Sequence, residues 1–142
     1  MAKVSENLYD AGGDGNLTTA KTFADGSTHY DTQYQYDWQN RQTDARGPDG
    51  MASHSEYDNL GEMTLGQSYA DADSDFVIDA GELRGQSTSR FDELGRVYSS
   101  TVYHVDPTTG DLGHSLTRQA WYDARGMQVK SADSNGLFAK SA

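Results

Sequence analysis

The sequence predicts an all-β chain, an antiparallel meander of roughly eight to ten strands joined as successive hairpins. Three observations predict it. A turn phrase recurs along the chain, the segments between its copies alternate in hydrophobicity, and no stretch keeps a helical period. The clearest copy of the phrase is Phe91, Asp92, Glu93, Leu94, Gly95: an aromatic, Asp, two variable residues, Gly. It returns at residues 9–13, 57–61 and 122–126, and at 36–40 with Asn40 in place of Gly. Asp at the first position of a type I turn accepts from the backbone two residues on, and the closing residue must take positive φ, which Gly and Asn do most readily. Asp10, Asp37, Asp58, Asp92 and Asp123 are therefore expected to shape hairpin tips, closed by Gly13, Asn40, Gly61, Gly95 and Gly126. The aromatics ahead of them, Tyr9, Tyr36, Tyr57, Phe91 and Tyr122, are expected to pack on one another from hairpin to hairpin as a ladder.

Taken in order, residues 1–32 are the least regular, and Gly12, Gly13, Asp14, Gly15 and Asn16 widen the first tip. Turn signals for the opposite edge lie at Arg46 to Gly50, Asp106 to Gly113 and Asp133 to Gly136. Gly66 to Tyr69 and Gln86 to Arg90 read as strands. In Arg96 to Val105, Val97, Thr101, Tyr103 and Val105 share one face, against Tyr98, Val102 and His104 on the other. From Ser115 to Tyr122 the alternation sets Leu116, Ala120 and Tyr122 against Thr117, Gln119 and Trp121. The best helical candidate, Ile78 to Gly85, is short and holds two Gly. Residues 1–142 are expected to form a single β-repeat segment. The tips start at 9, 36, 57, 91 and 122, an uneven spacing that suits strands of similar length joined by variable loops at one edge.

Leu, Val, Phe and Ile together number only 20 of 142 residues, and the net charge is −11, a combination that by itself points to disorder. Nine Tyr and two Trp restore buriable area, and the ordered recurrence of the turn phrase supplies the architecture. There is no Cys, so disulfides and thiolate metal sites are unavailable. No apolar run has the length of a membrane helix, and the first residues lack a signal peptide's apolar stretch, so no membrane insertion is expected. The eleven basic residues are scattered, which speaks against nucleic acid. Divalent cations suit such an acidic surface better.

The longest interval between tips holds the sharpest local motif. Asp71, Asp73, Asp75, Asp79 and Glu82 occupy positions 1, 3, 5, 9 and 12 of a twelve-residue window, with Val77 at the position where a calcium loop offers a backbone carbonyl. These six residues are the expected ligands of a calcium ion, the one cofactor the sequence suggests. Phe76 stands where the loop needs Gly, and a left-handed conformation costs it ~1–2 kcal/mol. The motif also reads as an acidic hairpin tip kept soluble by its charges.

Catalysis finds no support. His29, His54, His104 and His114 are isolated and share no metal-ligand spacing, and no Gly-x-Ser-x-Gly elbow occurs. The chain is expected not to be an enzyme. Trp38, Trp121, Tyr34 and Tyr103 are the candidates for stacking on sugars, which keeps a carbohydrate-binding or adhesion module as the alternative function.

The aromatic-Asp-x-x-Gly phrase followed by Arg and an apolar residue, as in Phe91 to Val97, resembles the signature of RHS proteins, also called YD-repeat proteins. The resemblance runs from Tyr9 to the end in five copies. Arg stands at the sixth position only as Arg41 and Arg96; Asp14, Glu62 and Met127 replace it elsewhere. The resemblance implies a ribbon of β-hairpins that spirals into a hollow shell, as in bacterial toxin complexes, polymorphic toxins and teneurins. Such proteins are far longer, so the chain is expected to be a fragment of an extracellular or cell-surface protein. A structural segment of a shell, stalk or filament follows, associating with neighbouring repeats or with itself, and with cell-surface glycan as a further partner.

Overall fold

The computed structural model describes residues 4–25, 27–136 and 138–140. Its eleven strands are β1 (Ser5–Tyr9), β2 (Leu17–Phe23), β3 (His29–Tyr36), β4 (Gln42–Arg46), β5 (Met51–Tyr57), β6 (Met63–Ala70), β7 (Leu83–Phe91), β8 (Val97–Val105), β9 (Leu112–Tyr122), β10 (Gln128–Asp133) and β11 (Phe138–Lys140). Each pairs antiparallel with the next, giving one sheet in strict sequence order. Among the described residues there is no helix. The all-β antiparallel meander is thus observed, with one correction: there are eleven strands where eight to ten were expected. The irregular first segment accounts for part of the excess. Leu17 to Phe23 carries three Thr, whose β-branched stiffness suits a strand, and β1 pairs along it from Ser5 to Tyr9.

A single sheet has no second layer to cover it. The accessible surface is 9522 Å², about a third more than the ~7,200 Å² of a compact domain of this mass. Only Ala52, Tyr69, Leu83 and Val105 are buried hydrophobics among the described residues. Ala52, Tyr69 and Leu83 are register partners across β5, β6 and β7, so they form one row on one face. The rest of that face is tied by polar cross-strand pairs: Asp44 with His54 at 2.7 Å, Gln67 with Gln86 at 2.8 Å, and Thr101 with Thr117 at 2.9 Å. The other face is built of small residues, with Ser55, Gly66 and Ser87 in one register row that ends on the exposed Val102 and Leu116.

With so little apolar burial, the tips carry much of the organisation. In four of them the Asp carboxylate accepts from the amides two and four residues on. Asp92 Oδ1 takes Leu94 N at 2.9 Å and Arg96 N at 3.0 Å, and Asp37, Asp58 and Asp123 repeat the pattern. The closing residue is left-handed each time, with Asn40 at φ 60° and Gly95 at φ 73°. The first tip is wider: Asp10 N bonds Asn16 O, and its Oδ1 accepts from Gly15 N, so the strand resumes two residues later than elsewhere.

Consecutive tips on this edge are clasped to each other. Tyr36, Tyr57 and Tyr122 donate their hydroxyls to Leu17 O, Gln42 O and Val97 O, the first strand carbonyls after the preceding tip. Arg41 grips its own Asp37 (Nε to Oδ2, 2.7 Å), donates to the carbonyl of Asp58 in the next tip at 2.7 Å, and lies 4.9 Å over the Tyr57 ring. Arg96 repeats this with Asp92, with the carbonyl of Asp123 at 3.4 Å, and over Tyr122 at 4.7 Å. The ring-on-ring ladder expected from the sequence is therefore replaced. At two of the four joints a guanidinium instead stacks on the next tip's ring and satisfies that turn's carbonyl at once.

The first joint has the Tyr36 hydroxyl but no arginine, and one joint lacks both parts of the clasp. Between the third and fourth tips, Phe91 has no hydroxyl, and Glu62 stands where Arg would. Glu62 Oε1 lies so near the fourth tip that a Cβ on Gly95 would sit 2.8 Å from it. Desolvation, then the charges of Asp58 and Asp92, hold the Glu62 carboxyl above its usual value. Replacing both residues, Phe91→Tyr with Glu62→Arg, is expected to complete the clasp and raise Tm by on the order of a few degrees in a thermal melt. An unchanged or lowered Tm would count against the clasp as a source of stability.

The same groups set the acid response. The backbone amide of Glu62 holds Asp58 below its usual value, the Arg96 side chain does so for Asp92, and for Asp37 the Arg41 contacts outweigh an opposing desolvation. Their contribution is complete above about 3.8 and is lost as pH falls through the lowered folded values. Glu62 acts in the opposite sense: its contribution is present below 4.5 and is lost as pH rises through the raised folded value. Tm measured against pH should therefore climb from neutrality towards 4.5 and fall below 3.8. Glu62→Gln should make only the upper limb shallower, the raised Asp73 carboxyl supplying the remainder.

Candidate functional site

The strongest candidate is the loop between β6 and β7, residues 71–82, on the edge opposite the clasped tips. It begins from a buried charge. Asp71 has no exposure, and its Oδ2 lies 3.1 Å from Arg46 Nε, although the pair is not aligned as a hydrogen bond. Asp71 Oδ1 accepts from Ser74 N at 2.8 Å and Asp75 N at 3.2 Å, which wraps the chain around the carboxylate. Asp75 Oδ1 in turn takes Val77 N at 2.7 Å. The wrap requires left-handed backbone at Ser74 (φ 70°) and Phe76 (φ 64°). Phe76 thus occupies the conformation for which Gly was wanted, with its ring half-buried.

The outcome for the six expected ligands is uneven. Asp71, Asp73 and Asp75 bring ligand atoms within 4.8 Å of one another, a grouping that among the described residues occurs only there. Asp79 and Glu82 stand outside it. The Glu82 carboxylate closes the base of the loop, Oε1 accepting from Ala72 N at 3.0 Å and Oε2 from Asp79 N at 3.1 Å. Val77 is exposed beside the cluster. Desolvation, then the charges of Asp75, Asp79 and Glu82, raise the Asp73 carboxyl above its usual value. Tyr69, two residues before the loop, is wholly buried, and its hydroxyl has no hydrogen-bond partner. Burial first, then Asp44, Asp71, Asp75 and Glu82, push that hydroxyl up to about 12.

The loop also joins its neighbours on this edge. Asp71 N donates to Gly50 O at 2.9 Å, and Arg46 Nη2 reaches Asp71 O at 3.3 Å, so the Arg46 to Met51 turn is fastened to it. On the far side Gly81 packs against Gly110, so closely that a Cβ on Gly110 would meet Gly81 backbone at 3.1 Å. No sequence motif announced Arg46 or Tyr69 as parts of the site. Their only signal was the register: Tyr69 stands two residues before the loop, and Arg46 pairs with Ala52, itself the partner of Tyr69.

The other candidates do not converge. Trp38 is 83% exposed on the second tip, whereas Trp121, on β9, has Lys130 Nζ 4.4 Å over its ring. Tyr34 lies on β3 and Tyr103 on β8, five strands apart. His54 is held by Asp44, with Glu56 Oε1 3.8 Å from its other ring nitrogen, and His29 meets Asp31 at 3.3 Å.

No protein-family model and no curated protein matches the chain. Among solved structures, it is similar over 96% of its length to a chain of the Tc holotoxin pore of Photorhabdus luminescens, at 13% identity and a TM-score of 0.40. The match spans 9% of that chain.

Among the described residues Arg46, at the end of β4, is the one cation paired with buried Asp71. Arg46→Ala is expected to cost about 3–5 kcal/mol by leaving the carboxylate uncompensated, read as a lowered midpoint in urea. A loss under about 1 kcal/mol would mean the pair is worth no more than an exposed ion pair.

Proposed function

We propose that this chain is a non-enzymatic structural segment, a stretch of β-hairpin ribbon within a longer secreted or cell-surface protein. The observation that carries it is the open meander. Among the described residues β1 pairs only with β2 and β11 only with β10, so a row of backbone donors and acceptors is left at each end of the sheet. Such ends are continued by further hairpins of the same kind or by a second copy. The tip chemistry supports the reading, since its aspartates are spent on backbone amides and its arginines on neighbouring tips. The resemblance of the turn phrase to YD repeats supports it as well. A shell, stalk or filament is what such a ribbon builds.

A carbohydrate-binding reading rests on Trp38 alone, a large exposed ring on a tip with Asp10, Asp14, Asn16 and Tyr34 lining the hollow beside it. Glycan-array binding lost on Trp38→Ala would favour it.

The structural reading predicts concentration-dependent, end-to-end association of the isolated chain. Light scattering should show the mass rising with concentration, and Val4→Lys with Leu8→Lys on the β1 edge should suppress the rise. A strict monomer at millimolar concentration would remove self-association from the reading.

A further inference from the structure

We infer that the 71–82 loop binds one calcium ion through Asp71, Asp73 and Asp75, and that the ion locks three neighbouring turns of this edge together. Five carboxylates lie within twelve residues, and the cation paired with them by distance, Arg46, meets only Asp71. Three of the five converge within 4.8 Å, one of them wholly buried. Their alternate spacing turns successive side chains to one side of the wrapped backbone. Two amides on Asp71 and one on Asp75 hold that wrap before any ion arrives, so little ordering remains to oppose binding.

An independent observation comes from Tyr69, on the strand that leads into the loop. The Tyr69 hydroxyl is fully enclosed and has no partner, and its charged neighbours include Asp71 and Asp75. Buried polar groups are satisfied in native proteins by protein or by ordered water. A cation at the cluster brings a water shell, which supplies the missing acceptor.

The ligand set selects among cations. Oxygen donors on an irregular loop, with only three carboxylates and the remainder from water or the Val77 carbonyl, suit the loose coordination of calcium over the strict octahedron of magnesium. Glu82 stands outside the group of converging carboxylates, its own closing the base of the loop on the Ala72 and Asp79 amides, and does not add a bidentate ligand. The affinity expected is therefore that of extracellular modules, Kd roughly 10⁻⁴–10⁻³ M. The location gives the ion a use. β6 and β7 end at the unclasped joint of Glu62 and Phe91 on one edge, and the loop connects the same two strands on the other. There it is bonded to the turn at Gly50 and packed on the turn at Gly110.

The test is calorimetric titration of calcium into the metal-free full chain, with melts recorded beside it. One ion per chain and a Tm higher by several degrees at saturation are expected. Asp73→Asn with Asp75→Asn should abolish both while retaining the far-ultraviolet spectrum of the folded sheet. Asp14→Asn with Glu93→Gln, an equal loss of charge elsewhere, should leave both in place. Terbium excited through tyrosine gives a reading that needs no variant: emission displaced by calcium and not by the same concentration of magnesium. Absence of heat at millimolar calcium, no sensitised emission, or equal loss in the two double variants would overturn the site. Binding there needs neither open edge, so a strict monomer that binds calcium would dismiss self-association and leave the site standing.

Discussion

The carboxylate of each tip Asp, accepting two backbone amides of its own turn, is the interaction on which the rest depends. A single sheet with four buried hydrophobics among its described residues has little apolar area to fix strand register, and a slip of one residue would turn every side chain to the other face. Register must then be set locally, at each reversal of the chain. Asp92 does this by fixing Leu94 and Arg96 to one carboxylate, which brings Arg96 back over Asp92 and aims its guanidinium at the following tip. The clasp between hairpins is thus a consequence of the turn within a hairpin. Local chemistry does in this protein what a second layer of core does in a sandwich.

What could be read from the sequence follows that division. The tips were legible because Asp, a two-residue spacer and Gly or Asn act within five residues, and Asn40 at φ 60° obeys the same rule as Gly95. The all-β class was legible because the intervals alternate and no helical period competes. The clasps were not, because Arg41 and Tyr57 stand sixteen residues apart and meet only once consecutive tips are known to lie side by side on one edge. Without that, the aromatics looked like partners for one another, and an Arg at two of five positions looked like imperfect repetition. In the loop, spacing alone picked out the carboxylates. It could not say that Glu82 would be drawn to amides, nor that a residue as bulky as Phe76 would accept left-handed backbone.

The two edges of the sheet solve the same problem with different chemistry. On one, guanidinium groups bridge tip to tip and are spread over the chain. On the other, the connections are an acidic loop fastened by Arg46 to one turn and by a glycine contact to the next. The strand pair β6 and β7 lies at the meeting of these arrangements. Glu62 and Phe91 deprive it of the first, and the longest loop of the chain gives it the second. The local charges differ accordingly: Asp58, Glu62 and Asp92 crowd the joint at one end of the pair, and Asp71, Asp73 and Asp75 crowd the other.

That crowding bears on why so acidic a chain holds together as a sheet. A net charge of −11 spread over an open surface of 9522 Å² repels itself weakly at physiological ionic strength, where charges more than ~8 Å apart are screened. Carboxylates gathered within 4.8 Å are not screened from one another, least of all when one is buried. At four tips the fold resolves the difficulty by giving each Asp two amides, and at two of them an arginine as well. In the 71–82 loop the amides serve chiefly Asp71, Asp75 and Glu82, while at Asp73 desolvation and its neighbours' charges outweigh the Asp75 amide and hold the carboxyl above its usual value. The repeated turn therefore shows what a satisfied aspartate looks like in this protein, and the loop is the place where that pattern is incomplete.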